Sequence, residues 1–322
     1  MDFCANMYID FFTGGYIMEI YVISTDKDFT QRQKDRLAEM GKVIFCDSLE
    51  KFLKSGVLRS RAEKIIAIRP TFCDYRFDNS IIDSIKNLRA ISVYTTSCHY
   101  LDLEYCKKKG IIVTNTPGYA TDAIAEYLYF LALCCLKRLP LQIKYGKQEF
   151  SDIFLQAELR SKKVGIIGLG QIGKKIADIC SNAGNKVFYY SLDMSNKEYR
   201  AIGLQELFTN CDVIFCTLTI DSTTQNLITD HHLMSMKKSA VFISGTGPYL
   251  HNHELLLDMV GRGKIFGYGL EEPNKTIMDY TGNVMVTSEY AWFTKEAKSK
   301  RKDIMIDGIQ GIVRNNIINR LV

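Results

Sequence analysis

The sequence has no C-x-x-C pair, no long apolar run and no strong excess of charge, and each absence narrows what the protein can be. Its ten cysteines are scattered, and we interpret most of them as small buried side chains in a reducing cytosol. No run of about 18 apolar residues lacks polar breaks, which excludes a membrane-spanning helix. A net charge of +5 gives no argument for a nucleic-acid or membrane partner. We predict a cytoplasmic protein that acts on a small molecule and holds no metal.

The start of the chain also lacks basic residues. Residues 1–17 contain no Lys or Arg, whereas a secretory signal begins with basic residues. They are apolar and aromatic, but they carry Asp2 and Asp10. A clear strand pattern begins at Met18. We therefore predict that residues 1–17 are an N-terminal extension, and that deleting them leaves folding intact.

What is present is a regular alternation of short apolar strands and helices. At 322 residues, with 47% hydrophobic residues, the chain has the size of two globular domains. The strands of the first half are predicted at 20–24, 43–46, 65–68, 91–94 and 111–114. Helices are predicted between them, for example at 30–40, 48–54 and 103–109, and a long apolar helix follows at 121–137. This alternation indicates a parallel sheet with helices on both faces.

A second alternation begins at Lys163. Its strands are predicted at 164–167, 186–190, 213–216, 240–243, 265–268 and 283–286. A helix at 253–260 is predicted with Asn252 as its N-cap, and residues 294–318 are predicted to form one helix. The fold class is therefore α/β, with two doubly wound parallel sheets. We place a flavodoxin-like substrate domain at 18–118 with 294–322, and a Rossmann dinucleotide-binding domain at 119–293 nested within the chain; a substrate is expected in the cleft between them.

The most informative motif is Gly168-x-Gly170-x-x-Gly173. It stands between an apolar strand and a helix, which is the context that a dinucleotide-binding turn requires. The first glycine permits the tight turn, the second lets the backbone approach a pyrophosphate, and the third lets helix and strand pack closely. The pyrophosphate is expected at the helix N-terminus, where Gln171 and Ile172 lie. The alternative is a glycine-rich turn without a ligand.

The cofactor preference depends on the end of the second strand of this domain. An acidic residue there would bind the 2′-hydroxyl of NAD. Ser191 stands at that distance from the glycines, and Asp193 follows two residues later. Because neither position 192 nor 193 holds Arg or Lys, we favour NAD, with NADP possible. We also place Thr217, which follows the strand at 213–216, in the cofactor site.

From residue 18 to the end, the chain resembles the D-isomer-specific 2-hydroxyacid dehydrogenases. The resemblance is carried by several segments besides the glycine motif: 101–118, 121–126, 236–243, 267–273, 283–287 and 291–297. The family transfers hydride between a 2-oxo acid and a nicotinamide, using an Arg to hold the substrate, a His as acid/base and a Glu to tune the His. The resemblance also implies a homodimer through the nucleotide domain.

This sequence departs from the family at the catalytic positions. Gly247 stands where the arginine is expected, and Glu289 stands where the histidine is expected. Glu289 is our first candidate for the acid/base group, because a carboxyl group in a dry cleft has a raised pKa; the alternative is a solvated loop carboxylate. Glu271 is the second candidate, and either it or Glu272 takes the place of the family's glutamate.

The missing cation has two candidates, Arg69 and Arg76, which follow a strand of the first domain; the alternative is that both are surface residues. Thr95, Thr96 and Ser97 stand where the family has glycines that hold the substrate carboxylate, so we predict that they bind substrate. The neighbouring Cys98 and His99 are interpreted as structural. We expect His251 and His253 to lie in solvent.

Three functions remain open at this point. The first is an NAD(P)-dependent oxidoreductase that acts on a 2-oxo acid, or a related carbonyl compound, with a modified active site. The second is a catalytically inactive nucleotide-binding sensor or partner protein, suggested by the joint loss of Arg and His. The third is a nucleic-acid-associated regulator that uses the basic segment 295–302. For that segment we favour a solvated helix face.

Overall fold

The structure is a computed structural model that describes residues 18–146 and 150–322. The chain divides into two compact units. The first unit comprises the described residues up to Tyr119 together with Lys295–Val322, and the second unit is Ala120–Thr294. Within the described ranges, no helix is long and apolar enough to cross a membrane. The predicted extension at 1–17 lies outside the described residues.

The first unit contains a five-stranded parallel sheet with strand order β2-β1-β3-β4-β5. Its strands are β1 (Glu19–Ile23), β2 (Lys42–Cys46), β3 (Lys64–Ile68), β4 (Leu88–Val93) and β5 (Ile112–Thr114). Its helices are α1 (Gln31–Ala38), α2 (Leu49–Lys54), α3 (Asn79–Ser84), α4 (Leu103–Lys108) and the last helix of the chain, α11 (Lys295–Val313). The order reverses between β1 and β3, which is the doubly wound arrangement predicted from the sequence.

N-cap residues stabilise the first turns of four of these helices. Thr30, Ser48, Asp78 and Asp102 each accept hydrogen bonds from backbone N–H groups in the first turn of α1, α2, α3 and α4. Both faces of the sheet are covered, so alternate residues of its strands enter two separate cores. The helix α11 packs in the core that receives Ile20, Val22 and Ile65 from the strands.

The second unit contains a seven-stranded parallel sheet with order β12-β11-β10-β9-β6-β7-β8. Its strands are β6 (Lys163–Ile167), β7 (Lys186–Tyr190), β8 (Arg200–Ala201), β9 (Val213–Cys216), β10 (Val241–Ser244), β11 (Gly267–Glu271) and β12 (Val284–Thr287). Its helices are α5 (Thr121–Leu136), α6 (Leu139–Tyr145), α7 (Gln171–Asn182), α8 (Leu204–Asn210), α9 (Asp230–Met234) and α10 (His253–Gly261). The long apolar helix α5 buries Ala125, Leu128 and Leu131 against one face of this sheet.

Most predicted elements differ from the structure by one to three residues at their ends, and for β11 and α11 the difference has a local cause. β11 begins at Gly267 rather than at residue 265, because the backbone N–H groups of Ile265 and Phe266 bond to Met259 and Ala240 instead of joining the β11–β12 ladder. α11 ends at Val313 rather than at residue 318. Asn315 adopts a left-handed φ of 55° there, so the chain leaves the helix.

The basic segment at the start of α11 was predicted to be a solvated helix face, and the structure differs from that prediction. Arg301 is only 5% exposed, since it shares a helix face with the buried residues Ala297 and Met305. The prediction of a fully solvated basic face is therefore wrong at Arg301.

Candidate active site

The glycine loop between β6 and α7 makes a tight turn at Gly168 and leaves open space beside Gly170. Gly168 adopts a φ of +93°, which favours glycine, and its N–H donates to the carbonyl of Tyr190 at 2.8 Å. Gly170 precedes α7, and a Cβ built on it would meet no atom within 4 Å. The space beside Gly170 therefore leaves its backbone accessible to a ligand.

Gly173 closes the same loop by tight packing. A Cβ built on it would lie 2.1 Å from the carbonyl oxygen of Gly168 and 2.8 Å from Thr217 Oγ1. The Thr217 hydroxyl donates to the Gly168 carbonyl at 2.7 Å. Thr217, which we predicted to bind cofactor, thus fixes the shape of the glycine turn from within the protein.

The N-terminus of α7 is suited to an anion. No side chain caps the helix, and Gln171 and Ile172 occupy its first two positions. Uncapped N–H groups and the positive end of the helix dipole attract phosphate. Gln171 is exposed, with Thr121 Oγ1 3.4 Å from its Oε1, whereas Ile172 packs against the core. The loop and helix therefore fit the pyrophosphate of a dinucleotide.

Ser191 and Asp193 follow β7 directly. Ser191 is half-buried and Asp193 is exposed. The Asp193 carboxylate accepts from the backbone N–H of Ser195 at 2.9 Å and from its hydroxyl at 3.0 Å, so it is held in a tight turn rather than swinging freely. The Asp193 carboxylate, whose negative charge would repel the 2′-phosphate of NADP, is thus held just beyond β7.

Glu271 ends β11 and is partly buried. Its carboxylate accepts from the backbone N–H of Ala291 at 2.8 Å. Burial raises the pKa of Glu271, and the charge of Glu289 raises it further, while hydrogen bonds from the Ala291 and Tyr290 N–H groups act in the opposite direction. Burial also raises the pKa of Tyr127 on α5, with a contribution from the charge of Glu271. A carboxyl group with a raised pKa therefore lies near a tyrosine hydroxyl.

Glu289 lies in the loop after β12 and is exposed. The structure brings it close enough to Glu271 for the two charges to interact, but it does not place Glu289 in a dry environment within its own unit. The burial expected of an acid/base group is therefore found at Glu271, whose pKa is raised.

Gly247 stands where the family's arginine is expected. It has a left-handed φ of +62°, and a Cβ built on it would lie 3.1 Å from the carbonyl oxygen of Glu271. The carbonyl of Gly247 accepts from the buried Ser244 hydroxyl at 2.6 Å. A side chain at position 247 would be strained in this backbone conformation, so the loop as it stands does not favour an arginine there.

His251 and His253 do not lie in solvent, which corrects our prediction. The Tyr268 hydroxyl is 2.7 Å from His251 Nε2 and 3.2 Å from His253 Nδ1. His253 Nε2 lies 3.8 Å from Glu272, whose carboxylate also accepts from the Tyr280 hydroxyl. Burial lowers the pKa of His251 to about 4. Glu272 is therefore engaged in a buried His–Tyr cluster, whereas its neighbour Glu271 is not.

In the first unit, Thr95, Thr96 and Ser97 form the loop after Tyr94. The Thr96 hydroxyl donates to the Thr116 carbonyl at 3.2 Å, and Asn115 Nδ2 donates to the Thr96 carbonyl at 2.8 Å. The Thr95 hydroxyl donates to the Ser97 carbonyl at 2.6 Å. This loop is thus held in a defined shape at the carboxyl edge of the sheet.

The two arginines proposed as the missing cation differ in their contacts. Arg69 pairs with Asp28 at 2.5 Å, and Arg76 is exposed.

In the predicted substrate loop, Ser97 Oγ lies 2.9 Å from His99 Nδ1. Cys98 is partly exposed, while every other cysteine in the described ranges is free and buried. In those ranges no three His, Cys, Asp or Glu side chains come together as a metal site would require.

One buried group escaped sequence reasoning although a signal was present. Arg301 lies on the same face of α11 as Ala297, Met305 and Ile309. Spacings of four residues therefore marked position 301 as inward-facing. The His–Tyr cluster around Tyr268 had no such signal, because it joins α10 to β11 across the fold.

Comparison with known proteins identifies related sequences and folds. Residues 130–281 match the family described as D-isomer specific 2-hydroxyacid dehydrogenase, NAD binding domain. The glyoxylate reductase of Thermofilum pendens is 27% identical over 268 residues, which cover 77% of this chain and 78% of that protein. The hydroxyphenylpyruvate reductase of Plectranthus scutellarioides is 31% identical over 200 residues, covering 60% of this chain and 64% of that protein.

A solved structure supports the same fold. The NAD complex of a D-isomer specific 2-hydroxyacid dehydrogenase from Lactobacillus delbrueckii ssp. bulgaricus superposes with a TM-score of 0.77. The identity is 18%, and the match covers 95% of this chain and 100% of that chain. At this identity, the likeness establishes the architecture and leaves the chemistry to be argued from residues.

Proposed function

We propose that this chain, which belongs to the D-isomer-specific 2-hydroxyacid dehydrogenase family, reduces a 2-oxo acid or a closely related carbonyl compound with Glu271 as its acid/base group. Family membership makes the chain an NAD-binding oxidoreductase. Because Gly247 and Glu289 stand where the family's arginine and histidine are expected, we assign the proton transfer to another residue.

Glu271 is assigned the proton transfer. When bound, the nicotinamide supplies the hydride that the carbonyl carbon receives. The carbonyl oxygen then needs a proton, which the protonated Glu271 donates; in the reverse direction the ionised Glu271 removes the hydroxyl proton. A carboxyl group with a raised pKa keeps its proton up to a higher pH than an ordinary one, which suits this role.

The single observation that supports this assignment is the environment of Glu271. Its carboxyl group is partly buried at the carboxyl end of β11, hydrogen-bonded to Ala291 and close to Tyr127. The exposed Glu289 is proposed to act through its charge, which raises the pKa of Glu271. This order of roles reverses the order in which the sequence suggested the two residues.

The glycine loop is proposed to hold the cofactor through backbone groups at Gly168, Gly170 and Gly173. Asp193, fixed by Ser195 just beyond β7, favours NAD over NADP, because its carboxylate would repel a 2′-phosphate. We propose that Ser191 contacts the adenosine ribose, and that Thr95, Thr96 and Ser97 contact the substrate in the first unit.

We also propose a homodimer in the cytosol. Five large apolar side chains are 49% to 108% exposed: Ile143, Tyr145, Phe150, Ile153 and Leu155. Exposed apolar residues concentrated in one segment are typical of an interaction surface. The free cysteines support a reducing compartment. Size-exclusion chromatography with light scattering measures the oligomeric state directly.

Binding and turnover are tested in sequence. NADH and NADPH are titrated by fluorescence, and NADH oxidation is then followed at 340 nm against 2-oxo acids, aldehydes and imines. We expect NADH to bind more tightly than NADPH and at least one 2-oxo acid to be reduced. Binding without turnover on any of these compounds would instead support the nucleotide-binding sensor.

A further inference from the structure

Helix α5 packs closely on β11, because the strand carries two glycines on the side that faces the helix. A Cβ built on Gly267 would lie 3.1 Å from the Cβ of Cys135, and one built on Gly269 would lie 3.3 Å from the Cβ of Leu131. Two residues forward along β11 therefore correspond to four residues back along α5. The two steps have similar lengths, about 6.6 Å in a strand and about 6 Å in a helix, so the correspondence continues along both elements.

The next step of this correspondence brings Tyr127 to Glu271. Tyr127 lies four residues before Leu131, and Glu271 lies two residues after Gly269. The charge of Glu271 acts on the Tyr127 phenol and raises its pKa, as expected of neighbours. The ring of Tyr127 packs against the core beneath α5. The proposed acid thus has a phenol beside it, on a helix of the same unit that core packing holds in place.

The surroundings of Tyr127 keep its phenol protonated. Thr287 pairs with Glu271 in the parallel register of β11 and β12, so both side chains lie on the same face of the sheet. Burial raises the pKa of Tyr127 most, the nearby Thr287 hydroxyl lowers it, and the charges of Glu271 and Cys134 raise it. A phenol with a raised pKa keeps its hydrogen at neutral pH, so it can donate a hydrogen bond.

Carbonyl reduction creates a need for such a donor. As the carbonyl carbon receives hydride, the electron pair of the double bond moves to the oxygen, which then takes the proton of Glu271. Negative charge develops on that oxygen before the proton has fully moved, and a fixed second donor stabilises it. A neutral phenol on a packed helix suits this task, because it adds no charge to the site and keeps its own proton.

We propose that Tyr127 is a catalytic residue whose hydroxyl donates a hydrogen bond to the substrate oxygen that Glu271 protonates. The inference rests on the proposed function, since it adds a second residue to the same reaction. The hydrogen bond strengthens as charge develops on the oxygen, so Tyr127 contributes more to the transition state than to substrate binding. Its removal should therefore lower kcat more than it raises KM.

The test compares two tyrosines of α5 in the full-length protein, with a 2-oxo acid and NADH as substrates. Y127F removes only the hydroxyl group and should lower kcat about 10- to 150-fold, with little change in KM. Y129F is the matched control. Tyr129 packs against the same core, but its pKa is raised by burial and by the charge of Cys180 on α7, which places it away from β11. Y129F should keep the kcat of the unmodified chain.

A pH profile separates hydrogen bonding to substrate from an effect on Glu271. The rate of reduction should fall as pH rises through the raised pKa of Glu271, and in Y127F this fall should keep its position while the rate is lower at every pH. A fall that moves to another pH in Y127F would show that Tyr127 only shapes the environment of Glu271, and it would overturn the inference. NADH affinity and the melting curve of each variant identify any loss of folding.

The inference and the proposed function can fail separately. A Y127F variant as fast as the unmodified chain, together with a slow Glu271→Gln variant, would overturn the role of Tyr127 and leave that of Glu271 standing. A slow Y127F variant with a fully active Glu271→Gln variant would refute Glu271 as the acid and support Tyr127 as the donor. An unmodified chain that binds NADH but reduces no 2-oxo acid would overturn both.

Discussion

Two loops at the carboxyl edge of the second unit's sheet make an instructive pair. The loop at 168–173 follows β6, and the loop at 244–247 follows β10. Each contains a glycine with a positive φ, Gly168 at 93° and Gly247 at 62°. In the first loop the glycines form the dinucleotide-binding motif, whereas in the second Gly247 stands at the position where the family's arginine is expected.

The difference follows from what each loop has to supply. A pyrophosphate is held by backbone N–H groups and a helix terminus, so the first loop depends on its backbone conformation. A side chain at Gly173 would disturb that conformation. Catalysis needs charged side chains, and these can come from other positions. We propose that Glu271 supplies the acid, because its carboxyl group is partly buried and hydrogen-bonded to Ala291.

The largest expected effect is on turnover. Glu271→Gln keeps the size and hydrogen bonding of the side chain but removes the transferable proton, so kcat for 2-oxo acid reduction should fall about 10²- to 10⁴-fold. Glu289→Gln is the matched control and should lose much less, since Glu289 is exposed and acts through its charge. Steady-state rates at 340 nm measure both; equal losses would make the two carboxylates one functional unit.

The His–Tyr cluster supports β11, the strand that ends in Glu271, and it should make stability depend on pH. The pKa of His251 is lowered from its ordinary 6.5 to about 4 in the folded chain. As pH falls, the unfolded chain binds the proton first, so stability is complete above about pH 6.5 and is lost between about 6.5 and 4. The loss should be about 3 kcal/mol.

The measurement is urea unfolding of the unmodified chain and of His251→Gln across this range of pH. The difference between the two curves isolates the histidine from the carboxylates that titrate nearby. If the two curves run parallel down to pH 4, the imidazole is not held neutral by burial.

Substitutions in the glycine loop should separate folding from cofactor binding. Gly173→Ala places a Cβ 2.1 Å from the Gly168 carbonyl, so it should destabilise the fold by about 1–3 kcal/mol and weaken NADH binding. Gly170→Ala meets no atom within 4 Å, so it should cost only the small N-cap preference of Gly over Ala and still weaken NADH binding. Gly203→Ala is the matched control, because Gly203 is an equally open N-cap glycine before α8; it should cost a similar small amount of stability and leave NADH binding unchanged.

The second loop should resist restoration of the family's residue. Gly247→Arg puts a side chain at a left-handed φ and a Cβ 3.1 Å from the Glu271 carbonyl. We expect a destabilisation of about 1–2 kcal/mol and no gain in turnover. A variant that is stable and faster would show that this loop readily accepts a cation.

Much of the fold followed from the sequence, because it depends on local patterns. The alternation of apolar strands and helices predicted both parallel sheets, and the glycine motif with its neighbouring segments predicted the family and the NAD cofactor, which the comparisons confirm. The end of α11 was wrong because Asn315 leaves the helix through a left-handed conformation that no apolar pattern marks. The start of β11 was wrong because Gly267 and Gly269 lack the β-branched side chains on which strand prediction depends.

The site was harder to predict because its properties come from contacts between distant segments. The raised pKa of Glu271 depends on its burial and on the charge of Glu289, which lies in a loop after a different strand. The lowered pKa of His251 depends on burial beside Tyr268. Neither contact leaves a periodic trace in the sequence. The roles of the substrate loop, the cofactor residues and the two carboxylates therefore stay predictions.

We propose Glu271 as the group that donates the proton, and the pH dependence of kcat/KM for 2-oxo acid reduction tests this role. The acid must be protonated to act, so the rate should be highest on the acidic side and should fall as pH rises through the raised pKa of Glu271. That descending limb should be absent in Glu271→Gln. A profile in which the same limb persists in Glu271→Gln would contradict the account.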